Sequence, residues 1–185
     1  MNPLTQLIEA ALFSAAHPIA IDDLARLQPD AGREEVEGAV QELRRHYEQD
    51  GHAVEVVEVA EGFQIVTRPA FADAIAEAHV VRRPRKLSRA ALETLAVIAY
   101  RQPVSRAEIE EIRGVSVEGV LRSLQERGIV EIAGRADGLG RPLLYGTTDL
   151  FLELLGIRSR DELPRLEEMS VALRPLGEQI EPIER

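Results

Sequence analysis

The sequence predicts a mainly α protein with small β-hairpin wings, an α+β chain arranged as two tandem winged-helix domains. One observation behind this is an internal repeat, because a duplicated stretch of chain implies duplicated architecture. "HPIAIDDLARL" (His17–Leu27) is matched by "QPVSRAEIEEI" (Gln102–Ile112), and "VEGAVQEL" (Val36–Leu43) by "VEGVLRSL" (Val117–Leu124), at offsets of 85 and 81. The other is the order of hydrophobic periods in each copy: helical spacing first, then two runs of strand character around a turn.

Each element has a local cause. Leu4, Leu7, Ile8, Ala11 and Leu12 recur at helical spacing, with Asn2 as N-cap and Pro3 in the first helical position. In the second copy Leu92, Leu95 and Ala99 form the corresponding stripe behind Ser88. The next helix begins at Ser105, where Ser105 and Glu108 make a capping box, and Gly114 suits a left-handed stop. A third helix is expected from Ser116, burying Val117, Val120, Leu121 and Leu124 before Gly128 ends it. Hairpins follow in both copies: "AVEVVEV" and "FQIVT" flank Glu61-Gly62, and "IVEIA" and "LLYGT" flank a loop from Gly134 to Pro142. A short helix closes each copy, around Phe71–Ala78 and Leu150–Leu155. The expected division is residues 1–80 as the N-terminal winged-helix domain, 81–87 as a basic linker, 88–169 as the C-terminal winged-helix domain, and 170–185 as a flexible tail.

Composition narrows the chemistry. The 185 residues include no Cys, so there is neither a disulfide frame nor a thiolate metal site. The four histidines (His17, His46, His52, His79) lack the i, i+4 pairing of a helical metal site and are expected on surfaces or at element ends. With no long apolar run, the protein is expected to be soluble and cytoplasmic, with no membrane contact. Charge is uneven: residues 1–81 carry 5 basic and 15 acidic side chains, residues 82–148 carry 12 and 8, and residues 149–185 carry 5 and 9. Only the middle of the chain attracts anions by its overall field.

A helix that reads the major groove needs Arg, Lys, Asn or Gln on its outer face. Here the third helix of the second copy offers Glu118, Arg122, Gln125 and Glu126, with Arg122 four residues from each Glu. The first copy shows Glu35, Glu37, Gln41 and Glu42 beside Arg44 and Arg45. A carboxylate near a phosphate repels it by about 1 kcal/mol even in water, so sequence-specific reading is not expected. The linker cations Arg82, Arg83, Arg85 and Lys86, with Arg89 beyond them, are the best remaining site for weak, non-specific DNA contact, although a solvated hinge is the preferred reading. Arg135 and Arg141 on the second wing are placed for a weak backbone contact. "GLGRPLLYG" is no phosphate cradle, because it leads into a strand and not a helix. No catalytic constellation emerges and no cofactor is expected. The residues thus point to a protein-binding scaffold, with a DNA-binding transcriptional regulator as the alternative. Tyr145, Leu150 and Phe151 are candidate groove residues, ordinary core being the plainer role for each.

The stretch "ALETLAVIAYRQPVSRAEIEEIRGV", with "GRPLLYGTT" after it, resembles the second domain of the bacterial segregation and condensation protein B family. "IEAALFSAAHPIAIDDLARL" and "VEVAEGFQIVTRPAFADAI" resemble its first domain, so the likeness runs from Leu7 to Met169. "VSVEGV" and the wing tip "RADGLGRP" depart locally from the family's usual pattern. The resemblance implies a non-enzymatic, nucleoid-associated subunit that dimerises largely through its first domain. It implies binding of a kleisin, segregation and condensation protein A, and through it a coiled-coil ATPase of the structural-maintenance-of-chromosomes (SMC) class. The assembly would condense and partition chromosomes. Of the matching positions, Pro103, Gly114, Gly134 and Gly140 suit turns, whereas Arg101, Gln102, Arg135 and Arg141 lack an evident core task and are the better candidates for partner contact.

Overall fold

The computed structural model describes residues 1–78, 86–137 and 140–165. The first unit runs α1 (Pro3–Ser14), β1 (Ile19–Ala20), α2 (Ile21–Ala25), α3 (Arg33–Gln49), β2 (Val54–Val59) and β3 (Gly62–Thr67), then a 3-10 turn and α4 (Ala72–Glu77). Its antiparallel sheet has the order β1-β3-β2. The second unit repeats the plan with α5 (Arg89–Arg101), β4 (Val104–Ser105), α6 (Arg106–Arg113), α7 (Glu118–Glu126), β5 (Val130–Arg135), β6 (Leu143–Thr147) and α8 (Asp149–Leu155). There the order is β4-β6-β5. Helix, short strand, two helices and hairpin, twice over, is the element order of a winged helix. The boundaries drawn at 80, 87 and 169 fall on or beside undescribed residues, and the tail 170–185 lies outside the described chain.

The caps form as the side chains dictate. Asn2 Oδ1 accepts from the amide of Thr5 at 2.8 Å, and Ser88 Oγ from that of Ala91 at 3.2 Å. At α6 the box is reciprocal: the Ser105 amide donates to Glu108 Oε2 at 2.8 Å while Ser105 Oγ accepts from the Glu108 amide. Gly114 stops α6 at φ 67. Each third helix then turns its apolar side chains inward. Val36, Ala39, Val40, Leu43 and Tyr47 of α3 pack with Leu4, Ile8, Leu12, Leu24 and Val56. Val117, Leu121 and Leu124 pack with Leu95, Ile98, Ile109, Val130 and Phe151. These are two separate cores.

Several local expectations are corrected. The first hairpin turns at Ala60 and Glu61, both at positive φ (48 and 56), one residue earlier than Glu61-Gly62. That geometry suits a two-residue turn matched to strand twist. Gly62 instead begins β3, where a Cβ would sit 2.9 Å from the Ile19 carbonyl carbon, so its role is to let β1 approach. Gly134 lies within β5 beside a register shift at Ile132/Gly134, and of the two glycines 134 and 140 it is Gly140 that has positive φ (80). Helix α7 starts at Glu118 with Val117 as its N-cap, since Ser116 spends its hydroxyl on Glu110 Oε1 at 3.1 Å. Leu92 is 53% exposed and Leu7 38%, so the stripes of α5 and α1 are narrower than their spacing suggests.

The units meet through main chain. The amide of Ala60 donates to the Ile157 carbonyl at 3.0 Å and that of Glu61 to the Arg158 carbonyl at 2.8 Å. His17 Nδ1 lies 3.3 Å from Glu153 Oε2 beside them.

Two measurements check this account. Gly62→Ala should lower stability by about 1–3 kcal/mol in urea titrations, whereas Gly119→Ala, in helix α7 with nothing within 4 Å of the added methyl, should raise it by about 0.5–1 kcal/mol. Hydrogen bonds from Ser105 hold the Glu108 carboxyl below its ordinary value of 4.5. A depressed folded-state value means stability that is present above the unfolded value and lost as pH falls through the folded one. Glu108→Gln should therefore flatten the acid limb of a stability–pH curve.

Candidate partner-binding surfaces

The outer faces of the third helices carry internal ion pairs near the start of α3 and along α7. Arg122 Nε bonds Glu126 Oε1 at 3.0 Å. Glu118 pairs instead with Arg106, at 3.6 Å, and not with Arg122. On α3, Arg33 bonds Glu37 at 3.0 Å and also reaches Asp22. Glu42 draws together the start of α1, accepting from the Thr5 hydroxyl at 2.7 Å and from Asn2 Nδ2 at 2.9 Å. The Thr5 hydrogen bond is the main cause that holds its carboxyl below the ordinary value. These exposed pairs add little stability each, but they leave few cations aimed outward.

The residues singled out for partner contact separate into two groups. Arg101, Arg135 and Arg141 are exposed, and none has an acidic partner within 4.0 Å among the described residues. Arg135 Nη1 only grazes the carbonyl of Arg141, at 3.5 Å, and Arg141 sits at φ 39 on the wing tip. Gln102, by contrast, has a structural task that its sequence context did not reveal. Its Oε1 accepts from the Thr147 amide at 2.7 Å, and its Nε2 donates to Thr147 Oγ1 at 2.9 Å and to the Ala99 carbonyl at 3.2 Å. The carboxamide thereby ties the end of α5 to β6. Gly146 makes room for it, since a Cβ there would lie 3.0 Å from Gln102 Oε1.

The apolar candidates divide in the same way. Phe151 is 5% exposed and belongs to the second core, so its ring does not face a groove. Tyr145 is half-buried between Val104 and Ile132 in the sheet, packed on that core. Leu150 lines a shallow hollow of about 400 Å3 with Pro18, Ala60, Thr148 and Glu153, where the two units meet. Of the basic run, Lys86 is exposed, while Arg82, Arg83 and Arg85 lie outside the described residues.

Three features escaped the sequence reading. Arg113 is a partly buried clamp, donating to the Ala90 carbonyl (3.0 Å), Thr94 Oγ1 (2.6 Å) and Glu93 (2.7 Å), and it locks α6 to α5. An open cleft of about 780 Å3 lies between α3, the first hairpin and residues 158–162. Glu37, Glu58, Glu61, Asp161 and Glu162 there outnumber Arg33 and Arg158, over Ile21 and Phe63. Finally, Phe13 is 81% exposed, the most exposed of the large apolar side chains among the described residues. Among those residues, too, no helix is long and apolar enough to cross a membrane.

This geometry defines a tandem winged-helix protein whose third helices present acid-rich, internally paired surfaces. Comparison with known proteins makes the class specific. Residues 6–166 match the family described as segregation and condensation complex subunit ScpB. Segregation and condensation protein B of Syntrophotalea carbinolica is 47% identical over 90% of this chain and 84% of its own length. The Moorella thermoacetica protein of the same name is 45% identical over 91% and 86%. The crystal structure of ScpB from Mycobacterium tuberculosis is 35% identical, covering 83% of this chain and 95% of that one, with a TM-score of 0.39. The chain belongs to the segregation and condensation protein B family.

The split between structural and exposed residues is measurable. Gln102→Ala should cost about 1–3 kcal/mol in chemical denaturation, because it strands the Thr147 amide. Arg101→Ala, one residue earlier, should change stability by less than about 0.5 kcal/mol.

Proposed function

We propose that this chain is a non-enzymatic subunit of the bacterial SMC–kleisin complex: a homodimer that holds the kleisin, segregation and condensation protein A, and acts in chromosome condensation and segregation during cell division. Family membership over residues 6–166 is the observation that carries this reading. The ATP chemistry then belongs to the SMC partner, reached through the kleisin, and the site of action is the cytoplasm, at the nucleoid.

The division of labour follows the two cores. Residues 1–80 form the dimerising domain, with the exposed Phe13 on α1 as the anchor offered to a second copy. Residues 88–169 form the second domain, joined by the linker 81–87. Its exposed Arg101, Arg135 and Arg141 suit contact with carboxylates of a partner chain, as guanidinium groups with no carboxylate beside them among the described residues do. The ion pairs on α3 and α7 favour this reading over duplex reading, since a phosphate would meet carboxylates on both helices.

Light scattering tests the dimer: the full chain should have the mass of two copies, and a chain lacking residues 1–80 the mass of one. An unchanged dimer after that truncation would refute the assignment. Co-purification with the kleisin, followed by cross-linking, tests the partner. Arg101→Glu with Arg141→Glu should weaken capture at least about 5-fold, the equivalent of about 1 kcal/mol. Sequence-dependent duplex binding with a steep salt slope, and no kleisin capture, would favour a DNA-binding regulator instead.

A further inference from the structure

The sequence shows no pair of histidines at helical spacing, yet the fold assembles a three-residue donor set. His46 and Asp50 lie one turn apart at the C-terminal end of α3, with His46 Nδ1 2.9 Å from Asp50 Oδ2. Gly51, at φ 67, reverses the chain immediately afterwards. The amide of His52 then bonds back to the Tyr47 carbonyl at 3.3 Å. That reversal lays the His52 ring against the helix, its centroid 5.2 Å from that of His46 and 4.9 Å from that of Tyr47. One nitrogen from each imidazole and one carboxylate oxygen of Asp50 lie within 4.8 Å of one another.

We propose that His46, Asp50 and His52 form a binding site for a divalent cation of the zinc class. Two imidazoles and one carboxylate make a borderline donor set, suited to Zn2+ and poorly suited to Mg2+ or Ca2+, which take oxygen ligands. Tetrahedral Zn2+ with bonds near 2.05 Å needs donors about 3.4 Å apart. Reaching that spacing requires the exposed Asp50 and His52 side chains to rotate out of their present contacts with His46 and Tyr47. The fourth position is left to water. The negative end of the α3 dipole favours a cation here. Arg68, whose Nη2 donates to the Tyr47 carbonyl at 2.9 Å, is the opposing cation that the site must tolerate. Bound metal would staple the last turn of α3 to the turn that leads into β2, and so stiffen the entry to the first wing.

The test is calorimetric titration of the full chain with ZnCl2 in metal-free buffer. One saturable site per chain is expected, with affinity reduced at least about 10-fold in His46→Gln and in His52→Gln and unchanged in His17→Gln. In unsubstituted protein, the ring resonances of His46 and His52 should shift on adding Zn2+ while that of His17 stays, a reading that does not depend on any variant folding. The melting temperature should rise with Zn2+ in the wild-type chain and not in the double variant. Absence of saturable binding, an affinity unchanged from wild type in both Gln variants, or displacement by a modest excess of Mg2+ would overturn the site.

Discussion

Each half of this protein depends on the apolar stripe of its third helix. Val36, Val40 and Leu43 in one, and Val117, Leu121 and Leu124 in the other, are nearly or wholly shielded from water. The first helix, the second helix and the hairpin of each unit all add side chains to the core that this stripe forms. Burying such side chains contributes roughly 1.5–3 kcal/mol each, more than any surface ion pair in the molecule. The stripe also decides the exterior. A helix that spends its apolar positions inward presents only its polar ones outward, and in α3 and α7 these are mainly Glu and Arg in mutual pairs.

That outward face separates this molecule from a groove reader of the same topology. Duplex readers keep their cations free, whereas here Arg122, Arg106 and Arg33 are each held by a carboxylate. Among the described residues, guanidinium groups without a carboxylate within 4.0 Å include Arg101 at the end of α5, Arg135 and Arg141 on the second wing, and Arg44 and Arg45 late in α3. Topology and chemistry thus give different information: the fold alone is compatible with nucleic acid, and the charge arrangement favours polypeptide partners.

Local, short-range signals were the legible part of the sequence. The caps at Asn2, Ser88 and Ser105 and the glycine stop at Gly114 each depend on residues within a turn or so of one another, and the repeat is a match between two strings of letters, so all can be recognised before the chain is folded. What stayed hidden depends on pairs distant in sequence. Gln102 meets Thr147 across 45 positions and Arg113 meets Thr94 across 19, and neither pairing leaves a periodic trace. The donor set at His46, Asp50 and His52 is a different case. Its residues are close in sequence, but only the left-handed turn at Gly51 points the third one back. Exposure was the weakest inference, since Leu92 and Phe13 have the identity of core residues and face water.

The joint between the halves is written in peptide groups. Two amides of the first hairpin tip meet two carbonyls after α8, and no side chain takes part in those bonds. Such a seam constrains its residues through the backbone alone: each donor must keep its amide hydrogen, which proline lacks, and each must sit at positive φ, which β-branched residues adopt only with strain. Relatives that keep this joint can therefore vary at positions 60 and 61 only among residues that tolerate a left-handed backbone and retain an amide hydrogen.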